Sequence, residues 1–245
     1  FKEIIFEEYN HIAKITINRE RYRNAFTPLT TWEMAQAFNY CRDCLDIRVV
    51  ILTGAGDKAF CAGGDVASFA KDPDTVDVLL KEVTGFMHMA IARLTAMDAP
   101  VIAAVNGPAA GAGAGLAFAS DLRIAASSAT FSMAFAGVAL SADTGASFLL
   151  PRLVGQGRAS RMMLLGEKVD AAEALRIGMV DQVVPDDELA GTVGQLAARL
   201  AAGPTTAFGW IKASLQHGAQ SDLESTLQFE DRAQTACFAS ADHGE

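Results

Sequence analysis

Residues 100–120, PVIAAVNGPAAGAGAGLAFAS, carry no charged side chain, and this run constrains the fold more than any other part of the chain. Its length is about one bilayer span, and Gly111 and Gly115 form the G-x-x-x-G pattern of packed membrane helices. Asn106-Gly107-Pro108 would break such a helix in its middle, however, and Ala and Gly are barely hydrophobic. The segment therefore reads as a buried strand, a turn and the start of a buried helix, not as a membrane segment.

The sequence around it supplies elements to bury that strand. EIIFEE and HIAKITIN read as strands with a turn at Tyr9-Asn10, placing Ala13, Ile15 and Ile17 on one face. Thr27-Pro28 starts a helix, with Thr as N-cap and Pro at the first helical position, running to about Leu45. RVVILT is a short buried strand, followed by the glycine-containing loop GAGDKAFCAGGD. Helical spacing of Leu79, Leu80, Val83, Phe86, Met87, Ala90, Ile91 and Leu94 predicts a long helix from about Val76 to Met97. Pro100 ends it, and VIAAVN is the next strand.

The Gly/Ala-rich run then opens a helix ending near Ser120, and LRIAA and TFSM are short strands. From Asp143 onward the pattern is mostly helical, with Gly155, Gly166, Gly178 and Gly203 as stops. Strands alternating with helices, then mostly helices, give an α/β architecture whose last helices cover it or form a partner surface. The carboxyl end, ADHGE, stops abruptly after a helix, as a truncated chain would.

Composition narrows the function classes. With 51% apolar and 20% charged residues, the 245-residue chain can build a large core. A net charge of −9 argues against nucleic-acid binding, so an anionic ligand would need a local basic cluster. Cys41, Cys44, Cys61 and Cys237 are too few and scattered for a disulfide framework. Cys41 and Cys44 form a C-x-x-C without a second pair of metal ligands, so they read as ordinary helix cysteines and no metal is expected. No charged n-region followed by an apolar h-region opens the chain at Phe1, so a cytoplasmic protein without a signal peptide is expected.

Two loops look built for close backbone approach, FCAGGD (60–65) and NGPAAGAGAG (106–115), each after a strand and before a helix. One N–H from each could bind a single oxygen that becomes negative, an oxyanion hole. A dinucleotide site fits the second loop poorly: Leu116 takes the last glycine place of G-x-G-x-x-G, and Asp121 comes too early for a ribose contact. Asp143, in VALSADTGASFLLPRLVG, is a lone carboxylate among small and apolar residues. Such a group is costly to desolvate unless it is used, as a helix N-cap or as a chemical base.

FCAGGD, PVIAAVNGPAAGAGAGLAFASDLRIAASSATF, LLPRLVG, AAEALRIGMVDQVVP and INRERYRNAFTP together resemble the crotonase (enoyl-CoA hydratase/isomerase) family over about residues 3–240. The resemblance implies a spiral of β-β-α turns and an acyl-CoA thioester substrate. It divides the chain into a core with the acyl-CoA site at 1–190 and a C-terminal helical region at 191–245 that builds homo-trimers or hexamers. No cofactor is implied, because coenzyme A is part of the substrate. The family's oxyanion-hole positions fall on Gly64 and Ala112, and its substrate contacts on Arg23, Ala25, Ala62, Gly64, Asp65, Gly111 and Phe135. Arg23 would lie near the CoA phosphates, with Arg19 and Arg21 adding positive charge.

The departures from the family pattern bear on the chemistry. The two glutamates of the hydratases fall on Gly115 and Phe135, neither of which can carry a proton. Asp143 matches the single acid of the family's isomerases, including the ring-epoxyphenylacetyl-CoA isomerases. An apolar pocket of Phe135, Leu140 and Phe148 would raise its pKa. His88, twelve residues before Pro100, falls where the 4-chlorobenzoyl-CoA dehalogenases carry a catalytic histidine. The first expectation is an isomerase that moves a double bond or ring proton through a thioester enolate, with Asp143 as acid/base. The second is a hydrolase with Asp143 as nucleophile and His88 as base. RNA-binding relatives of the fold form a third class, opposed by the acidic charge. Phe69, Phe86, Phe131 and Phe135 hint at an aromatic or cyclic acyl group.

Overall fold

The computed structural model describes residues 1–66 and 76–240; Phe69 lies outside them. Strands β1 (Ile4–Tyr9) and β2 (Ile12–Ile17) form an antiparallel hairpin in which Tyr9 faces Ile12. Its two-residue turn is Asn10-His11, one position later than the sequence suggests, and both residues have positive φ (49° and 65°). That backbone matches the twist of the flanking strands. Helix α1 (Pro28–Asp43) starts as expected: the Thr27 hydroxyl accepts the Thr30 N–H (3.2 Å), and the Thr27 N–H donates to the Thr30 hydroxyl (3.1 Å). It ends at Asp43 with Cys44 as its C-cap, close to the expected end at about Leu45.

Strand β3 (Val49–Gly54), helix α2 (Val76–Ala96) and strand β4 (Val101–Val105) follow. The uncharged run 100–120 then divides into β4, a turn, the two-residue strand β5 (Ala109–Ala110) and helix α3 (Ala112–Ala119). Every residue of α3 is buried, which explains why this segment tolerates no charge. Among the described residues no helix is long and apolar enough to cross a membrane.

Strands β6 (Leu122–Ala126) and β7 (Thr130–Ser132) match the sequence reading. The last third is not purely helical. Between helices α4 (Ala146–Val154), α5 (Gln156–Leu165) and α6 (Ala171–Arg176) lies strand β8 (Lys168–Asp170), and strand β9 (Gln182–Val184) follows α6. At three residues, β8 and β9 show too little alternation to stand out beside the helices, although β7 of the same length is legible in the sequence. β9 nevertheless closes a six-stranded sheet in the order β1-β2-β3-β4-β6-β9, parallel beyond the first hairpin. A smaller sheet has the order β5-β7-β8.

The large sheet buries both faces. On one, Ile15, Ile17, Leu52 and Val105 join Phe38 of α1 and Met87 and Leu94 of α2 in the main core. On the other, Ile12, Val49, Ile51, Ile102 and Ile124 pack against Leu189, Val193, Ala197 and Ala201 of helix α7 (Leu189–Ala201), four residues apart along one stripe. Helices α8 (Thr205–Gly218) and α9 (Leu223–Phe238) pack on each other, with His217 stacked on Phe229 at 4.5 Å. They leave Ile211, Leu215, Leu227 and Phe238 exposed.

Candidate active site

The two glycine loops meet edge to edge. The Ala110 N–H donates to the Cys61 carbonyl (2.9 Å), and the Phe60 N–H donates to that of Pro108 (3.1 Å). Two glycines permit this approach. A Cβ on Gly113 would sit 2.4 Å from the Cys61 carbonyl oxygen, and one on Gly63, at φ 90°, would sit 2.9 Å from that of Ala110. The first loop is also tied to residues 23–26: the Ala62, Phe26 and Asp65 N–H groups donate to the carbonyls of Arg23 (3.0 Å), Gly63 (2.7 Å) and Phe26 (2.9 Å).

The N–H groups of Gly64 and Ala112 at this junction have no protein acceptor among the described residues. Gly64 donates to nothing, and Ala112 is the first residue of α3, whose leading N–H groups have no intrahelical partner. Both residues line one cavity of about 130 Å³. Ala62, Gly63, Gly111, Val83, Thr84, Met87, Phe135, Val138, Leu140 and Asp143 complete much of its wall. Asp143 is the one carboxylate among the described residues of that wall.

Asp143 does not cap a helix. Helix α4 begins at Ala146 behind Gly145 with no side-chain cap, and only the Asp143 carbonyl accepts from the Ala146 N–H (2.9 Å). Its carboxylate Oδ1 is buried with no hydrogen-bond partner. Burial pushes the carboxyl pKa above the ordinary aspartate value, against smaller opposing effects of the Thr144 hydroxyl and the charge of His88. A carboxylate that is desolvated, has one oxygen without a partner and lines a cavity can accept and return a proton.

The other candidate residues divide. Phe135 and Leu140 stand beside Asp143 in the wall, but Phe148 does not: it is 44% exposed and packs under the Arg152 guanidinium at 3.4 Å. Phe131 is a core residue stacked on Phe118, and Phe86 lies outside the wall, so among the described residues the aromatic character there comes from Phe26 and Phe135. Arg19 is withdrawn from any phosphate site. Its guanidinium is nearly buried, pairs with Glu3 (3.2 Å) and Asp65 (3.0 Å), and donates to the Ala25 carbonyl.

That network also engages the Asp65 carboxylate and buries Ala25, leaving Arg21 and Arg23 as the exposed cations of this corner. His88 is exposed on α2, outside the cavity wall, and among the described residues it makes no hydrogen bond. Sequence reasoning missed Thr144. It is fully buried with φ 53°, its side chain filling the space above Gly115. The available signal was Gly115 itself, because a glycine inside a helix costs stability unless packing requires it.

The sequence model described as enoyl-CoA hydratase/isomerase matches residues 7–245. The 1,2-epoxyphenylacetyl-CoA isomerase of Escherichia coli is 39% identical over 96% of this chain and 92% of its own length. The short-chain-enoyl-CoA hydratase of Clostridium acetobutylicum is 35% identical over 98% and 90%. A crystal structure of enoyl-CoA hydratase from Bacillus anthracis superposes with a TM-score of 0.93 at 32% identity, covering 100% of this chain and 94% of that one. With the motifs, the sheet order and these likenesses in agreement over nearly all its length, the chain belongs to the enoyl-CoA hydratase/isomerase family.

Proposed function

We propose that the protein is an acyl-CoA isomerase, in which Asp143 moves a proton between two carbons of a thioester substrate. The carrying observation is that Asp143 is the one carboxylate among the described cavity residues; the resemblance to the family would put the hydratases' two glutamates at Gly115 and Phe135, which carry no proton. In the proposed reaction the thioester oxygen accepts from the Gly64 and Ala112 N–H groups. Asp143 takes a proton from an acidic carbon of the acyl chain, and the electron pair moves onto that oxygen as an enolate. The enolate collapses as the proton returns to a different carbon. One acid/base group suffices, and no cofactor takes part. Arg21 and Arg23 are the cations proposed to meet the CoA phosphates. Helices α8 and α9 offer apolar surface for a homo-trimer or hexamer.

Relatives named as hydratases are about as similar as the isomerase, so the overall likeness does not favour either activity. The residues do. Thr144 fills the space over Gly115, where even a Cβ would lie 1.9 Å from its hydroxyl oxygen, so an acidic side chain has no room there. The hydrolase alternative needs His88 to activate water next to Asp143, and the exposed position of His88 outside the wall disfavours it.

The test is turnover of a panel of 2-enoyl-, 3-enoyl- and aroyl-CoA esters, followed by mass spectrometry. Double-bond movement without mass change is expected, while addition of water or release of free CoA would reject the proposal. Crotonyl-CoA hydration is expected to run about 10²–10⁴-fold below an ordinary hydratase, since a missing acid or base typically costs that much. Calorimetry should show a CoA thioester binding far more tightly than its free acid, which lacks the nucleotide for Arg21 and Arg23 and the thioester for the N–H pair. Comparable dissociation constants would contradict the assignment.

A further inference from the structure

One oxygen of the Asp143 carboxylate, Oδ1, has nothing in the cavity wall to aim it. It has no partner, and Phe135, Leu140 and Met87 in the surrounding wall offer no donor. The segment that carries the side chain can supply that direction.

The backbone of that segment is strained at the next residue. Thr144 has φ 53°, a left-handed conformation that a β-branched residue adopts only when its surroundings impose it. The imposing contact is visible. Thr144 is fully buried in the hole that glycine leaves in the middle of α3, where a Cβ on Gly115 would lie 1.9 Å from Thr144 Oγ1 and 2.9 Å from its Cβ. From that seat its hydroxyl donates to the Asp143 carbonyl at 2.7 Å, and the same oxygen accepts the Ala146 N–H at 2.9 Å. The peptide joining Asp143 to Thr144 is thus held through two hydrogen bonds and a packed side chain.

We propose that Thr144 is a positioning residue for Asp143, its hydroxyl clamping the Asp143 peptide from the seat above Gly115 so that the carboxylate faces the cavity. This rests on Asp143 being the base. Two substitutions separate clamp from filler. Thr144→Val keeps the branched shape and removes the hydroxyl; Thr144→Ser keeps the hydroxyl and removes the methyl.

The assay is conversion of 3-hexenoyl-CoA to the conjugated 2-enoyl ester, followed in the ultraviolet, beside thermal melting. Thr144→Val is expected to melt near the wild type and to lose roughly 10- to 100-fold in kcat, the scale of a small misplacement of a reacting group, with little change in KM. The acid limb of its pH–rate profile should move to higher pH, because the hydroxyl that opposes the burial effect on Asp143 is gone. Thr144→Ser should restore most of kcat. Wild-type kcat with an unmoved acid limb in Thr144→Val, or an equal loss in Thr144→Ser, would overturn the proposal. If Thr144→Val does not fold, Thr144→Gly takes the left-handed backbone without strain; it should lose kcat similarly, and full activity would be equally adverse. Asp143→Asn is measured in parallel. If it is fully active, the base assignment fails and positioning falls with it. If it is inactive while Thr144→Val behaves as wild type, positioning alone fails.

Discussion

Asp143→Asn is expected to reduce isomerisation by at least about 10²–10⁴-fold, the usual contribution of a positioned acid/base group. The replacement is nearly isosteric, so the apolar wall of Phe135 and Leu140 should keep its shape while the proton acceptor is lost. His88→Ala is expected to have a mild effect, since His88 is exposed and reaches Asp143 only through its charge. Removing that charge takes away one influence that lowers the Asp143 pKa, so the acid limb should move to higher pH while the maximal rate changes little. The limb itself should lie above the ordinary aspartate range, because burial favours the protonated form and activity requires the ionised one. A hydrolase would behave differently: His88→Ala would stop water activation and let an ester accumulate on Asp143. Such an adduct in the intact-protein mass would overturn the isomerase reading.

For Ala112→Pro, a loss of about 10²–10³-fold in kcat is expected, the typical effect of removing one oxyanion donor. The site makes this a clean experiment. Ala112 is the first residue of α3, where proline suits the helix and no intrahelical hydrogen bond is lost. Gly111 before it has φ 50° and is not helical, so the usual restriction on a residue preceding proline does not act against the native backbone. Ala112→Ser keeps the N–H and should retain most of the activity. A folded proline variant with near wild-type turnover would remove Ala112 from the oxyanion hole.

Much of the frame was legible in the sequence because it is written in local chemistry. Thr27-Pro28 encodes a helix start through one side-chain oxygen and one missing N–H, and the structure keeps both. The long helix from Val76 ends one residue before the expected Met97, since its apolar spacing and the following Pro100 are themselves local signals. β5, β8 and β9 were not legible. Two or three residues carry almost no period, so of the strands this short only β7 was legible, and each exists because a neighbouring strand supplies its hydrogen bonds.

The site divides in the same way. The sequence by itself determined which groups could act: the small residues of the two loops, side chains at Gly115 and Phe135 that carry no proton, and one carboxylate at Asp143 in apolar surroundings. Residue type fixes proton-carrying capacity wherever the chain goes. Tertiary structure alone decided which groups meet. It joined Gly64, Ala112 and Asp143 around one cavity, spent Arg19 on Glu3 and Asp65, and left His88 and Phe148 outside. It also set Thr144 into the hole over Gly115. These outcomes depend on contacts between residues far apart in the chain, such as Arg19 with Asp65 and Gly115 with Thr144. Local sequence patterns do not encode such distances; the packing of α3, α4 and the two loops sets them.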